Sequence, residues 1–353
     1  MGRNKNKVIA GMSGGVDSAV CAYLLKKEGY DVEGVSLRTV ESSRCCEIED
    51  ARKTAWKIGI RLHSPNYSDE FARKIITPFI DEYKNGRTPN PCVICNKCIK
   101  WDKLIYYADI LGAEYVATGH YANVVKKANG RYTLRRAAHA EKDQTYMLYR
   151  LTQEQLKRTI MPLGNISKEE VRKIAKEANL PVADKKDSQE ICFITEGDYS
   201  GFITKNELNN MGNGEFVHED GTVAGTHNGI IHYTVGQRKG LGLALGYPVY
   251  VKEIRAKDNQ IVISPEEGLY SSEIICDNLN FLSVQEPSCG EKFEATVRIR
   301  YHHAGEPAEI IMLEKGRAKI RFSSPVRAPA PGQSAVFYDD EGCVIGGGII
   351  VKP

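Results

Sequence analysis

No apolar run in this sequence approaches the roughly 20 residues that a membrane helix needs, so no transmembrane span is expected. The start, Met1 to Lys7, is polar and basic and leads straight into a short apolar strand. It lacks the apolar core of an export signal, and a cytoplasmic protein is the expectation. Charge of one sign is scarce as well: 48 Lys and Arg against 45 Asp and Glu leave a formal net charge of +3. That total is too small to argue for nucleic-acid binding, which depends on a local basic face. There is no long internal repeat and no low-complexity tract. The ten cysteines do not form a disulfide framework, because they are spread over a long chain without a signal peptide and several cluster. Reactive thiols or a metal site fit them better.

What is present is a globular composition, 42% apolar and 26% charged, over 353 residues, which predicts two or three domains. From Val8 to about Gly119 strands and helices alternate. Strands are expected at Val8 to Ala10, Val32 to Leu37, Ile60 to His63 and Tyr115 to Thr118. Helices are expected at Ala19 to Glu28, Ile48 to Ile58, Asp69 to Lys84 and Lys97 to Leu111. Such alternation predicts an α/β fold with a doubly wound parallel sheet, which binds ligands at the carboxyl ends of its strands. A hairpin from Val124 to Leu134 turns around Asn129-Gly130, a helix-rich stretch begins at Gln144, and Ser167 with Glu170 makes a capping box for a helix to about Ala178. Beyond Ser200 glycine becomes frequent and helical periodicity fades. Strands around Phe293 to Tyr301, Ala308 to Leu313, Ala318 to Phe322, Ser334 to Tyr338 and Val344 to Val351 predict a small C-terminal antiparallel β-barrel. The expected division is 1–205, a small central domain at 206–272, and 273–353.

Ser13-Gly14-Gly15-Val16-Asp17-Ser18 lies between the first strand and the first helix. Gly14 and Gly15 let backbone N–H groups approach phosphate oxygens, and the helix N-terminus adds partial positive charge. Ser13 and Ser18 can donate hydroxyl hydrogen bonds. Asp17 beside phosphates is repulsive unless Mg2+ lies between, which makes it a metal-side residue. No Gly-Lys-Ser/Thr ending follows, so a Walker-type loop acting at a γ-phosphate is not indicated. The bland alternative is a Gly-rich turn with a helix cap. The hexapeptide resembles the signature of the ATP-pyrophosphatase (PP-loop) family, whose members cleave ATP to AMP and pyrophosphate and attach AMP to a carbonyl oxygen.

Two cysteine segments narrow the choice. Thr88-Pro89-Asn90-Pro91-Cys92-Val93-Ile94-Cys95-Asn96-Lys97-Cys98 leads from Pro-rich backbone into a helix, whose N-terminal dipole stabilises a thiolate and makes Cys95 a candidate nucleophile. Asp187-Ser188-Gln189-Glu190-Ile191-Cys192-Phe193 carries a cysteine between apolar neighbours, which read alone is a core residue. Cys21 also reads as core. Cys45-Cys46 fits either the neighbourhood of the ATP site or an exposed loop. Cys276, Cys289 and Cys343 suggest no chemical role.

With Gly119-His120-Tyr121, Lys142-Asp143-Gln144, Gly236 to Gly242 and Arg300-Tyr301, these segments are similar to the tRNA-specific 2-thiouridylases, in the same order and over nearly the whole chain. The resemblance implies a PP-loop catalytic domain, a small central domain and a C-terminal barrel that together make 2-thiouridine at the tRNA wobble position, U34. It implies that Gly11, Met12, Ser13, Gly14, Gly15, Val16, Asp17, Ser18, Leu37 and Gly119 hold ATP. It implies that Asn90, Pro91 and Cys92 face the target base, and that His120, Lys142, Asp143, Gln144, Arg300, Tyr301 and Gln333 touch the tRNA. Cys95 and Cys192 become the catalytic pair, with Asp17 at the phosphates.

In the implied route the uridine C2 oxygen attacks the α-phosphate of ATP and pyrophosphate leaves. A persulfide on Cys192, loaded by a donor protein, then attacks C2 and expels AMP. Attack by Cys95 releases the thiocarbonyl and leaves a Cys95–Cys192 disulfide for a reductant to reset. Family members that use this route commonly carry Asp where this chain has Cys92, and often an acidic residue where it has Cys98. Cys92, Cys95 and Cys192 are therefore also candidate ligands of a 4Fe-4S cluster with one open iron that accepts sulfide. A zinc site is a third reading, with Cys98 or the Cys45-Cys46 pair as the nearby extra ligands. The rival functions are a PP-loop ligase acting on a metabolite, for which no glutaminase signature is present, and a non-catalytic RNA-binding protein.

Overall fold

The computed structural model describes residues 3–40, 48–186, 191–194, 198–206 and 212–352. Cys45, Cys46 and Asp187 to Glu190 lie outside the described residues. The first unit is built on a parallel sheet. Its strands are β1 (Asn4–Gly11), β2 (Asp31–Val35), β3 (Arg61–His63), β4 (Ala113–Ala117) and, after a hairpin of β5 (Asn123–Lys126) and β6 (Tyr132–Arg135), the two-residue β7 (Thr159–Ile160). The order is β3-β2-β1-β4-β7. Side chains of β1 alternate between two buried layers, as a strand of period 2 covered on both faces must. Val8 and Ala10, with Met12 just past the strand, pack with Cys21, Leu25 and Ala51, whereas Ile9 packs with Trp101, Leu104 and Val116. β1 and β4 are adjacent, so the loop after Gly11 and the chain after Ala117 emerge side by side at the carboxyl edge.

Helices α1 (Val16–Lys27) and α2 (Ile48–Ile58) follow the first two strands. The next expected helix is α3 (Ser68–Phe71), a π-helical turn (Ala72–Ile76) and α4 (Thr77–Lys84) run together. The one after it starts earlier than expected, at Pro91: α5 (Pro91–Cys95) passes through a second π-helical turn (Asn96–Trp101) into α6 (Asp102–Ile110). Proline at the first helical position fits, since its missing N–H is not needed there. Further on come α7 (Gln153–Lys157), α8 (Lys168–Glu177), with the expected Ser167–Glu170 capping box, and α9 (Tyr199–Asn206).

A four-stranded sheet follows, from β8 (Gly214–Val217), β9 (Val223–His227), β10 (Tyr250–Arg255) and β11 (Gln260–Ser264), in the order β10-β11-β8-β9. The C-terminal barrel is closed by six strands: β12 (Tyr270–Phe281), β13 (Lys292–Arg298), β14 (Glu306–Leu313), β15 (Arg317–Arg327), β16 (Ser334–Tyr338) and β17 (Val344–Lys352). β12 is absent from the strands expected above. Its second half, Asp277-Asn278-Leu279-Asn280, reads as a turn, and Asn278 does take a left-handed φ of 49° where the β17 ladder slips. β13 ends at Arg298 and leaves Arg300 and Tyr301 on the following turn. The barrel shares a core with the first unit: Leu282, Val336, Tyr338 and Val344 pack with Tyr146 and Tyr149. A Cβ on Gly347 would lie 2.8 Å from the Tyr149 ring and 2.7 Å from the Ala335 carbonyl oxygen, which explains glycine at this position of β17.

Candidate active site at the carboxyl edge of the parallel sheet

The loop after β1 enters α1 through Gly14, whose φ of 76° is inexpensive only for glycine. Ser18 is buried and braces the turn. Its Oγ accepts from the Ser13 amide at 3.2 Å, lies 3.2 Å from Ser13 Oγ and donates to the Gly15 carbonyl at 3.0 Å. The end of β4 presses against this helix start: a Cβ on Gly119 would lie 2.5 Å from the Asp17 carbonyl carbon and 2.7 Å from the Ser18 nitrogen.

Asp17 projects from the first turn of α1 into a knot of donors. Its Oδ1 accepts from Lys168 Nζ at 2.6 Å and from Tyr121 Oη at 2.8 Å. Gln144 fixes Tyr121 in turn, its Oε1 accepting the Tyr121 amide at 2.9 Å. A second lysine, Lys185, donates to the Gly14 carbonyl at 3.1 Å and to Asp50 Oδ2 at 2.7 Å. Burial holds its pKa below the ordinary lysine value. Sequence reasoning singled out neither lysine. Lys168 offered one signal, since a lysine directly after an N-cap opposes the helix dipole and needs an anion to hold it there.

Gly11, Met12, Ser13, Asp17, Ser18, Leu37 and Gly119 line a cavity of about 260 Å³, while Gly14, Gly15 and Val16, expected at ATP with them, are not part of its wall. Cys92, Cys95 and Cys192 line the same cavity. Cys95 and Cys192 also share an apolar cluster with Phe71, Ile75 and Phe193. Because the helix begins at Pro91, Cys92 occupies its first turn and Cys95 lies at the junction of α5 with the π-helical turn. Cys98 is partly buried and off the cavity wall. Among the described residues, the only three potential ligand atoms within 4.8 Å of one another belong to Asp339, Glu341 and Cys343. Lys127 already bonds both of those carboxylates, at 3.0 and 2.8 Å.

Of the residues assigned to RNA by resemblance, Pro91, Cys92, His120 and Gln144 line the cavity. His120 packs at a tilt against Trp101, with ring centroids 5.3 Å apart, and its Nδ1 lies 2.8 Å from Thr118 Oγ1. Burial first, and Lys100 second, push its pKa well below the usual histidine value. Asn90 donates to Met147 Sδ at 3.4 Å. Lys142 ends a short 3-10 turn. Asp143 turns inward: it is 3% exposed, accepts from Thr145 Oγ1 at 2.9 Å and pairs with Arg298 Nη1 at 3.0 Å. Arg300 donates to the Arg327 carbonyl at 3.3 Å, and Tyr301 packs edge-on to Tyr146 at 6.2 Å. Gln333 donates to the Thr88 carbonyl at 2.8 Å, ahead of the cysteine turn.

Residues 6–196 match the family described as tRNA methyl transferase HUP domain, 201–265 its PRC-barrel domain, and 271–350 an aminomethyltransferase beta-barrel domain. A protein of Clostridium acetobutylicum named tRNA-specific 2-thiouridylase MnmA is 47% identical over 355 residues, covering 98% of this chain and 99% of the relative. One of the same name from Lachnoclostridium phytofermentans is 46% identical, with 98% and 99% covered. A third, from Caldanaerobacter subterraneus subsp. tengcongensis, is 46% identical with 99% of each chain covered. Among the described residues no helix is long and apolar enough to cross a membrane. At nearly half identity from end to end, and with one cavity bordered by both the glycine loop and the cysteines, this chain belongs to the tRNA-specific 2-thiouridylase family.

Proposed function

We propose that this enzyme uses ATP to replace the C2 oxygen of a tRNA uridine, U34 of the anticodon loop, with sulfur. The observation that carries the proposal is the common cavity: Asp17 and the loop form one part of its wall, Cys95 and Cys192 another. Activation and sulfur transfer on one bound base need this proximity. A PP-loop ligase acting on a metabolite would leave both thiols idle. The family description mentions methyl transfer, but a phosphate-type loop facing two thiols suits sulfur chemistry better.

The loop suits ATP because its glycines open backbone amides toward a ligand at the start of α1, and because Met12, Val35 and Leu37 add an apolar wall for a base. Mg2+ suits the same place, since it binds through one or two carboxylates plus substrate phosphates, and Asp17 borders the cavity. When bound, Mg2+ supplies positive charge to the phosphates. In the reaction, the C2 oxygen attacks the α-phosphorus and pyrophosphate leaves. The terminal sulfur of a Cys192 persulfide attacks C2 and AMP leaves. The Cys95 thiolate then attacks the Cys192 sulfur, which frees 2-thiouridine and forms the disulfide. A single-stranded loop makes flipping the base inexpensive. Neutral His120 offers one ring nitrogen as donor or acceptor to that base.

The outer sulfur of the Cys192 persulfide comes from a persulfide-donating protein, the work is cytoplasmic, and the divisions at 205 and 272 separate catalysis from the two β units. A second reading rests on Cys92, which also borders the cavity. With Cys95 and Cys192 it would supply three thiolates to a 4Fe-4S cluster, whose fourth iron would offer sulfide a binding position. Iron content after strictly anaerobic purification separates the two, since fully active, iron-free protein excludes the cluster. The test of the main proposal is incubation with ATP, a sulfur source and unmodified tRNA, followed by a mercury-containing gel. Thiolated tRNA migrates slowly; Asp17→Ala should abolish pyrophosphate release, and Cys192→Ser should release pyrophosphate yet give no slow band. Normal thiolation by Cys192→Ser would refute its role.

A further inference from the structure

Two cations reach the loop, and they are held differently. Lys168 is almost buried, with 8% of its side chain exposed, and is fixed on Asp17. Lys185 is 25% exposed and bridges a loop carbonyl, Gly14, and the carboxylate of Asp50. Gly14 belongs to the turn whose amides would meet phosphates. An ammonium 3.1 Å from its carbonyl is therefore within one side-chain rotation of the same phosphates.

Asp50 can release its lysine at low cost. It lies in the first turn of α2 beside Glu49, where the helix N-terminus stabilises a carboxylate without help from a cation. It is also 34% exposed, so water compensates it once Lys185 departs. A triphosphate carries several negative charges close together and outcompetes one partly hydrated carboxylate for the same ammonium. The partly desolvated Lys185 gains more from that concentrated charge than a fully hydrated surface lysine would.

We propose that Lys185 is a phosphate-binding residue of this site, parked on Asp50 when no nucleotide is bound and transferred to the pyrophosphate portion of ATP when the nucleotide enters. This rests on the ATP reading above and adds to it a residue, a resting partner and a competition. No covalent step is involved, and Lys168 stays on Asp17 throughout.

Calorimetry on the full-length protein without tRNA tests it, with ATP, AMP and inorganic pyrophosphate as titrants in Mg2+ buffer. Loss of a charge-assisted contact corresponds to about tenfold to a hundredfold, so Lys185→Met should weaken ATP and pyrophosphate binding by that factor and leave AMP within about twofold. Asp50→Asn should tighten ATP binding several-fold, because the competitor is gone. The double variant, which removes both members of the Lys185–Asp50 pair, should bind ATP as weakly as Lys185→Met. Recovery of wild-type affinity in the double variant would mean that Lys185 only neutralises Asp50, and would overturn the proposal. So would unchanged ATP binding by Lys185→Met, or weaker binding by Asp50→Asn. If the wild-type protein binds neither ATP nor pyrophosphate, the ATP reading itself fails, an outcome distinct from the others.

Discussion

Lys168 Nζ lies 2.6 Å from Asp17 Oδ1, joining the start of α8 to the start of α1 across 151 positions of sequence. Two helix N-termini meet there, and the Asp17 carboxylate answers both their positive potential and the charge of the lysine. Asp17 is one-third exposed, so solvent screens the pair and its worth is modest. Replacing Lys168 with Met should lower tRNA-dependent pyrophosphate release at least about tenfold, because Asp17 loses its charged donor and keeps only Tyr121 to aim it. In a cycle with Asp17→Asn, urea unfolding should give a coupling of about 0.5–1 kcal/mol. A coupling of zero would reduce the contact to coincidence.

Gly119→Ala tests how tightly β4 abuts the loop. The added methyl has backbone of Asp17 and Ser18 at 2.5 to 2.7 Å, and backbone cannot swing away as a flexible side chain can. Overpacking of this kind costs about 1–3 kcal/mol, and the helix start must shift to relieve it. The midpoint of thermal unfolding should fall and ATP affinity should fall with it. A variant that melts earlier yet binds ATP normally would separate the two effects.

The parts of this site that were legible in the sequence share one property: each is a local pattern. Ser13 to Ser18 announces a ligand turn through its glycines, and Ser167 with Glu170 announces α8 through a reciprocal cap. Family resemblance then supplied the cysteine pair. What stayed hidden depends on partners far apart in sequence. Lys168 and Lys185 acquire meaning only where α8 and the chain after it fold back on the loop. Asp143 resembles a surface acid, in Lys142-Asp143-Gln144, until Arg298 arrives from the barrel. β7 pairs through only two residues, too few for any period to register, and β12 hides behind its Asp and Asn residues.

The Asp143–Arg298 pair makes a prediction about stability. The side chains are 2% and 11% exposed, so truncating one leaves the other charged and buried. Asp143→Ala should destabilise the protein by about 3–5 kcal/mol, the cost typical of breaking a buried pair. Urea titration measures it. A loss under 1 kcal/mol, together with weaker tRNA binding, would assign Asp143 to the RNA instead.

His120 predicts a pH dependence. An unfolded histidine takes up its proton as pH falls through about 6.5, whereas burial keeps folded His120 neutral well below that. The unfolded state therefore binds more protons in this window, and stability falls as pH falls below about 6.5, by at most ~1.4 kcal/mol per pH unit for one group. His227 and His303 are also depressed by burial and add to the wild-type slope, so the comparison with His120→Gln isolates this residue. Unfolding free energies between pH 5 and 7.5 should show a shallower slope for the variant by up to one proton. Parallel curves would mean that His120 is protonated in the folded protein.

The last prediction concerns how the barrel holds the cysteine turn. Gln333 Nε2 donates to the Thr88 carbonyl at 2.8 Å, the Thr88 amide donates to the Pro331 carbonyl at 2.7 Å, and Gly332 leaves room for Thr88 backbone that a Cβ would meet at 3.0 Å. Four residues after Thr88 comes Cys92, and three after that Cys95. Gln333→Ala removes one strand of this clamp at a cost of about 0.5–1.5 kcal/mol, enough to raise local opening up to about tenfold. Iodoacetamide labelling read peptide by peptide, without tRNA, should then show Cys92 and Cys95 alkylated several-fold faster than in the wild type. Cys192, on a different segment, should keep its rate, and so should the affinity for ATP. Wild-type labelling rates for all three cysteines would mean that the turn is held by Pro91 and the core behind Cys95 and that Gln333 is spare, which would return it to the role of an RNA contact.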